Sequence, residues 1–142
     1  MRLSTRTLLP MSAIAFMAFT GVAMAKVTHL HATLKPAAGV VSSGSGTMTG
    51  RYNSKTHMLY WHVTYHHLSS KMTAAHFHGP AEPGQNGPVL VPISGPHHSP
   101  IVGKAKITDA QAKTILDGMS YVNVHTVKVP AGEIRGQVMT GK

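Results

Sequence analysis

After its first two dozen residues this chain alternates apolar and polar positions with a period of two, which sets successive side chains on opposite faces of a strand. Val27 to Leu34 places Val27, His29, His31 and Thr33 against Thr28, Leu30, Ala32 and Leu34, a first strand. Pro, Gly and Ser then crowd residues 35–46, a loop running into a second strand, Gly46 to Tyr52. Asn53-Ser54-Lys55 supplies a tight turn, and His57 to Leu68 is the strongest strand signal, with Leu59, Trp61 and Val63 on one face and Tyr60, His62, Thr64 and His66 on the other. The two read as a β-hairpin. Further strands are expected at Thr73–His78, Val89–Ile93, Ile101–Ile107, Tyr121–Thr126 and Glu133–Met139, separated by Gly- and Pro-rich loops. The period changes once. Thr108, with Gln111 three residues later, makes a capping box, and Ala112, Ile115 and Leu116 give a short helix that stops at Gly118.

Seven to nine short strands and one short helix predict an all-β fold, a Greek-key β-sandwich or barrel of immunoglobulin-like or Cu,Zn superoxide dismutase-like kind. The first 25 residues stand apart from that pattern. Arg2 and Arg6 precede an apolar run from Leu8 to Val22, and Ala23-Met24-Ala25 has the small-x-small form of a cleavage site. Residues 1–25 are therefore expected to be a signal peptide, and residues 26–142 a single exported domain. Pro10, Ser12, Thr20 and Gly21 interrupt the apolar run, which argues against a retained membrane span. With no cysteine in the chain there is neither a lipid-anchor site nor a disulfide, so packing, hydrogen bonds or a bound ion must supply the stability.

Composition narrows the partners. Beyond the leader, eleven basic residues face four acidic ones (Glu82, Asp109, Asp117, Glu133), a net charge of +7 with the eleven histidines neutral. The cations are scattered rather than in runs and aromatics are few, so no nucleic acid is expected as partner. Enzyme readings fare poorly as well. There is no cysteine nucleophile, no Gly-x-Ser-x-Gly elbow and no spaced carboxylate pair for glycoside hydrolysis.

The candidate chemistry is imidazole. On a strand, His76 and His78 point one way and Phe77 the other, while Tyr121, Asn123 and His125 share one face of a later strand. Two imidazoles two residues apart and a third from another strand can converge on one ion. His62 and His66 share a face of the long strand and are secondary candidates, for a fourth ligand or for groups behind the ligands. His29 with His31, and His97 with His98, read as surface decoration or as low-affinity metal capture. The five methionines beyond the leader are dispersed, which gives little support to a Cu(I) thioether site.

Four motifs occur in a fixed order: Ala75-His76-Phe77-His78-Gly79-Pro80-Ala81, Asn86-Gly87-Pro88-Val89, Gly118 followed by Tyr121-Val122-Asn123-Val124-His125-Thr126, and Pro130-Ala131-Gly132-Glu133-Ile134-Arg135-Gly136-Gln137. Together they resemble the CHRD (chordin) domain over about residues 27–139, in the free-standing bacterial exported form. The resemblance implies an all-β sandwich and places His76, His78 and His125 on family positions. It departs from this chain at Lys35-Pro36-Ala37-Ala38, where relatives carry an acidic residue and paired prolines, and the other eight histidines exceed the family pattern. Glu133 and Arg135, alternate residues of the family's Gly-Glu-Ile-Arg-Gly-Gln segment, are expected to form a structural carboxylate–guanidinium pair beside His125.

The leading expectation is an exported metal-binding protein. It would hold copper, or zinc, through His76, His78 and His125, and buffer, store or deliver it in the periplasm or beyond, as a monomer or weak dimer with a periplasmic or cell-surface protein as a further partner. Two alternatives stand beside it: a metal-free structural or adhesive sandwich binding a protein or glycan, and a superoxide dismutase-like redox enzyme at the same site.

Overall fold

The computed structural model describes residues 24–141, so the expected signal peptide falls almost entirely outside the described residues. Nine strands and one helix follow in order: β1 (Val27–Pro36), β2 (Ser45–Asn53), β3 (Met58–His66), β4 (Met72–His78), β5 (Val89–Pro92), β6 (Ile101–Lys106), α1 (Asp109–Leu116), β7 (Tyr121–Thr126), β8 (Ile134–Gln137) and β9 (Met139–Gly141). All pairings are antiparallel, in the order β5-β4-β7-β8-β1-β2-β3-β6 with β9 beside β1. The chain adopts the expected all-β class, with one short helix among the described residues.

The sheet curls because β1 belongs to both of its halves. Val27 to Leu34 pair with β2, and His29 to His31 also with β9, while Lys35 and Pro36 pair with Arg135 and Ile134 of β8. One half is thus β9, β1, β2, β3 and β6, and the other is β8, β7, β4 and β5. Their inner faces close on one core, with Leu30, Leu34, Met48, Leu59 and Val63 from the first meeting Phe77, Val122, Val124 and Ile134 from the second. Trp61 and Phe77 meet edge to face across the middle, ring centroids 5.9 Å apart.

The alternation of the sequence dictates these faces. Leu30, Ala32 and Leu34 are buried while His29, His31 and Thr33 are exposed, as a period of two requires. His57 and His67 flank β3 in the left-handed region (φ 57° and 56°), so the long strand is shorter at both ends than the pattern predicts. The expected final strand splits in two. Val138, fully buried, donates its N–H to Ser120 O and breaks the ladder, so β8 stays in one half and β9 crosses to the other.

The helix forms as the capping box predicts. Thr108 Oγ1 accepts from Gln111 N–H, and the Gln111 side chain accepts from Thr108 N–H. Gly118, at φ 74°, supplies the left-handed residue just past the C-cap. Gln111 Nε2 also donates to Leu90 O, tying the helix to the edge strand β5. No helix among the described residues is long and apolar enough to cross a membrane.

Phe77, the residue between His76 and His78, is fully buried on the core face of β4. Phe77→Ala is expected to cost about 3–5 kcal/mol, read as a lower urea midpoint. Thr108→Ala should cost only about 1 kcal/mol, because it removes a cap and leaves the core intact.

Candidate metal centre

Strand pairing assembles the site. On β4, Ala75 and Phe77 face the core, so His76 and His78 project from the outer face of the second half. On β7, Val122 and Val124 face the core, which puts Tyr121, Asn123 and His125 on that same outer face. The register sets His76 opposite Asn123, His78 opposite Tyr121 and Ala74 opposite His125. Diagonal cross-strand neighbours on one face lie within reach of long side chains, which brings His125 to His76. The β4–β5 register also shifts between Phe77 and His78, a local irregularity of the kind that re-aims a side chain.

The three imidazoles converge as the sequence predicts: ligand atoms of His76, His78 and His125 all lie within 4.8 Å of one another. His76 Nδ1 and His125 Nε2 are 3.1 Å apart. Ring centroids are separated by 5.0 Å (His76–His125), 5.5 Å (His76–His78) and 5.9 Å (His78–His125).

Backbone carbonyls fix two of the tautomers. His78 Nδ1 donates to Gly87 O at 3.0 Å and His125 Nδ1 donates to Pro130 O at 2.8 Å, so both rings keep a lone pair on Nε2. That lone pair of His78 is buried and has no hydrogen-bond partner. A buried polar nitrogen without a partner is costly, and an ion would satisfy it. His76 meets only His125 among the described hydrogen bonds, so its Nδ1 is the atom it presents to the group. Two metal–nitrogen bonds of about 2.0–2.1 Å to nitrogens 3.1 Å apart would meet at roughly 95–100°. That angle lies between square-planar and tetrahedral values. The arrangement can hold a transition-metal ion.

Burial and neighbouring charge favour the neutral form of two of the rings, His76 and His78. Burial holds the His76 imidazole below its ordinary value of 6.5, and the neighbouring His125 and His78 push it the same way. Burial lowers His78 too. Its bond to the Gly87 carbonyl opposes that shift, while His125 and Arg135 add to it. Neutral imidazole is the form a metal needs.

Three further side chains organise the surroundings. Tyr121 stacks on His78, centroids 5.0 Å apart and planes within 6°, and Gly87 N–H donates to its hydroxyl. The Arg135 guanidinium lies 3.6 Å from the centroid of the Tyr121 ring and donates to Asn86 Oδ1 and Gln85 O, fastening the loop that carries Gly87. Asn123, nearly buried, donates to Ala131 O and presses against Gly132, where any Cβ would sit about 2.1 Å from the amide oxygen. The signal for Tyr121 and Asn123 was their shared strand face with His125.

Two expectations are corrected here. His62 and His66 do not join the group. Both lie on β3, on the exposed outer face of the other half of the sheet, so the core separates them from the three converging imidazoles. Nor do Glu133 and Arg135 pair. Glu133 precedes β8 and turns inward to complete burial, whereas Arg135 remains on the outer face over Tyr121. The Glu133 carboxylate instead accepts from Ser69 N–H (2.7 Å), Ser69 Oγ (2.8 Å), Thr126 Oγ1 (2.7 Å) and Ser42 Oγ. Burial alone would raise its pKa, but these hydrogen bonds together hold it below the ordinary 4.5.

Two acid transitions follow for the metal-free protein. Because the folded imidazoles are depressed, the unfolded chain binds more protons just below pH 6.5, and stability falls as pH drops through that value. The folded carboxyl of Glu133 is depressed as well, so its contribution is complete above pH 4.5 and is lost as pH falls through its lower folded value. Urea midpoints measured from pH 8 to 3 should show both steps, with the lower one missing in Glu133→Gln. Glu133→Ala should cost about 2–4 kcal/mol at pH 7, because it leaves the buried Thr126 hydroxyl and the donors of Ser42 and Ser69 without their acceptor.

The sequence matches the family model of the CHRD domain over residues 30–138. No curated protein matches it, and neither does any solved structure. That match spans most of the chain and contains the whole histidine site, and so the chain belongs to the CHRD domain family.

Proposed function

We propose that this is an exported metal-binding protein that holds one Cu(II) ion through His76 Nδ1, His78 Nε2 and His125 Nε2, and buffers, stores or delivers it in the periplasm or outside the cell. The observation that carries the reading is the buried, partnerless Nε2 of His78 within a group of three imidazoles whose ligand atoms lie within 4.8 Å. Neutral nitrogen donors suit Cu(II) and Zn(II), and the Irving–Williams order favours copper where both are present. The carbonyls of Gly87 and Pro130 act behind the ligands, holding each ring by the nitrogen that does not bind metal. Export rests on the sequence of residues 1–25. The Cu,Zn superoxide dismutase analogy is one of architecture, and a storage or delivery role asks only for retention and release.

A Cu(II) titration followed by EPR tests the assignment. One tightly held equivalent with a nitrogen-rich signal is expected, absent from the His76→Ala/His125→Ala double variant. Several weak equivalents that survive in the variant would sink it. The pH dependence is a second check. Since His76 and His78 stay neutral below the ordinary imidazole value, copper affinity should fall only modestly between pH 7 and 6 and steeply at lower pH. A decline already complete at pH 6 would point to ordinary surface histidines.

A further inference from the structure

The metal site uses three of the eleven histidines and leaves the opposite face of the molecule unexplained. On the outer face of the first half, the registers line up a row across four strands: His29, Arg51, Tyr60 and Lys104. A second row runs beside it: His31, Thr49, His62 and Val102. His66 and Lys106 extend the same face at the ends of β3 and β6. Apart from the half-buried Tyr60, the side chains of both rows are exposed, and a shallow groove of about 370 Å³ lies among His29, Thr49, Arg51, Tyr60, His62 and Val102.

Among the described residues the strands of this face carry no counter-charge. None of β1, β2, β3, β6 or β9 contains an aspartate or glutamate. The four acidic residues are elsewhere: Glu82 in the β4–β5 loop, Asp109 and Asp117 at the ends of α1, and Glu133 buried. The segregation leaves Arg51, Lys104 and Lys106 unopposed on a flat surface already rich in hydroxyl and imidazole donors.

We infer that this outer face docks an acidic polysaccharide, with Arg51 and Lys104 on its anionic groups and Tyr60 under a sugar ring. Arg51 and Lys104 flank Tyr60 from the strands on either side, roughly 10 Å apart by two strand spacings. That separation suits a polyuronate, in which two cations so placed meet the carboxylates of every second sugar. The Arg51 guanidinium rests 4.5 Å from the centroid of the Tyr60 ring, which holds the charge in place while leaving further N–H donors free for a carboxylate or sulfate. Threonines continue the polar surface, and the Thr47 and Thr64 hydroxyls are 2.8 Å apart on the same face. Such a ladder offers hydrogen bonds to sugar hydroxyls. A lipid surface is the poorer fit, because the rows hold one exposed aliphatic side chain, Val102, and nothing long enough to insert. This surface and the metal site lie on opposite sides of the core, so either can be lost without the other.

The test measures binding of the full exported protein to polygalacturonate, to neutral dextran and to vesicles of anionic phospholipid, at low and high salt. Binding to polygalacturonate alone, weakened by salt and reduced about tenfold or more in Arg51→Gln/Lys104→Gln, supports the assignment. Tyr60→Ala should also weaken it, with the copper titration of both variants unchanged. An equal loss in Lys55→Gln/Lys128→Gln would reduce the effect to net charge and overturn the docking face. Binding to vesicles but not polygalacturonate would overturn it in favour of a membrane, and binding to neither would overturn it outright.

Discussion

A carboxylate taken out of water must be met by donors, and much of one end of this molecule is built around that demand. Glu133 is fully buried, and the donors that meet it come from three separate segments: Ser42 after β1, Ser69 between β3 and β4, and Thr126 at the end of β7. Its own backbone N–H and carbonyl bind Val124 and Ala37. In a domain without cysteines, this node ties loops together in the way a disulfide does elsewhere. It differs from a disulfide in depending on charge, and so on pH.

The same node reaches the histidines. Thr126 Oγ1, which donates to Glu133, also accepts from Val129 N–H and so fixes the turn that presents the Pro130 carbonyl to His125. On the other side, Arg135 and Tyr121 secure the loop that presents the Gly87 carbonyl to His78. Two loops with different anchors therefore aim two rings at one point. His76 needs no such support, since its place on β4 sets it opposite Asn123 and beside His125.

What the sequence discloses here is what short-range periodicity controls. Strand faces, the capping box at Thr108 and the convergence of His76, His78 and His125 all follow from alternation and the pairing of β4 with β7. The fates of Glu133 and Arg135 do not, because the chain bends between them at the start of β8, and a period of two holds only within a straight strand. His62 and His66 were misplaced for a different reason. Alternation says that they share a face, but not which half of a curled sheet carries it. Two of the three hydroxyl donors on Glu133 come from serines that look like ordinary loop residues until the fold brings them in.

The curl that makes β1 common to both halves leaves only β5 and β6 as free edges of the main sheet order. β5 is four residues long, follows Pro88 and ends in Pro92, and the Leu90 carbonyl is occupied by Gln111. β6 carries Lys104 and Lys106. Short, proline-bounded or lysine-bearing edges are poor templates for another strand. These two edges therefore resist growth by strand addition, the route by which β-rich chains pass into fibres. The two outer faces remain open, one carrying the histidine site and the other the basic rows.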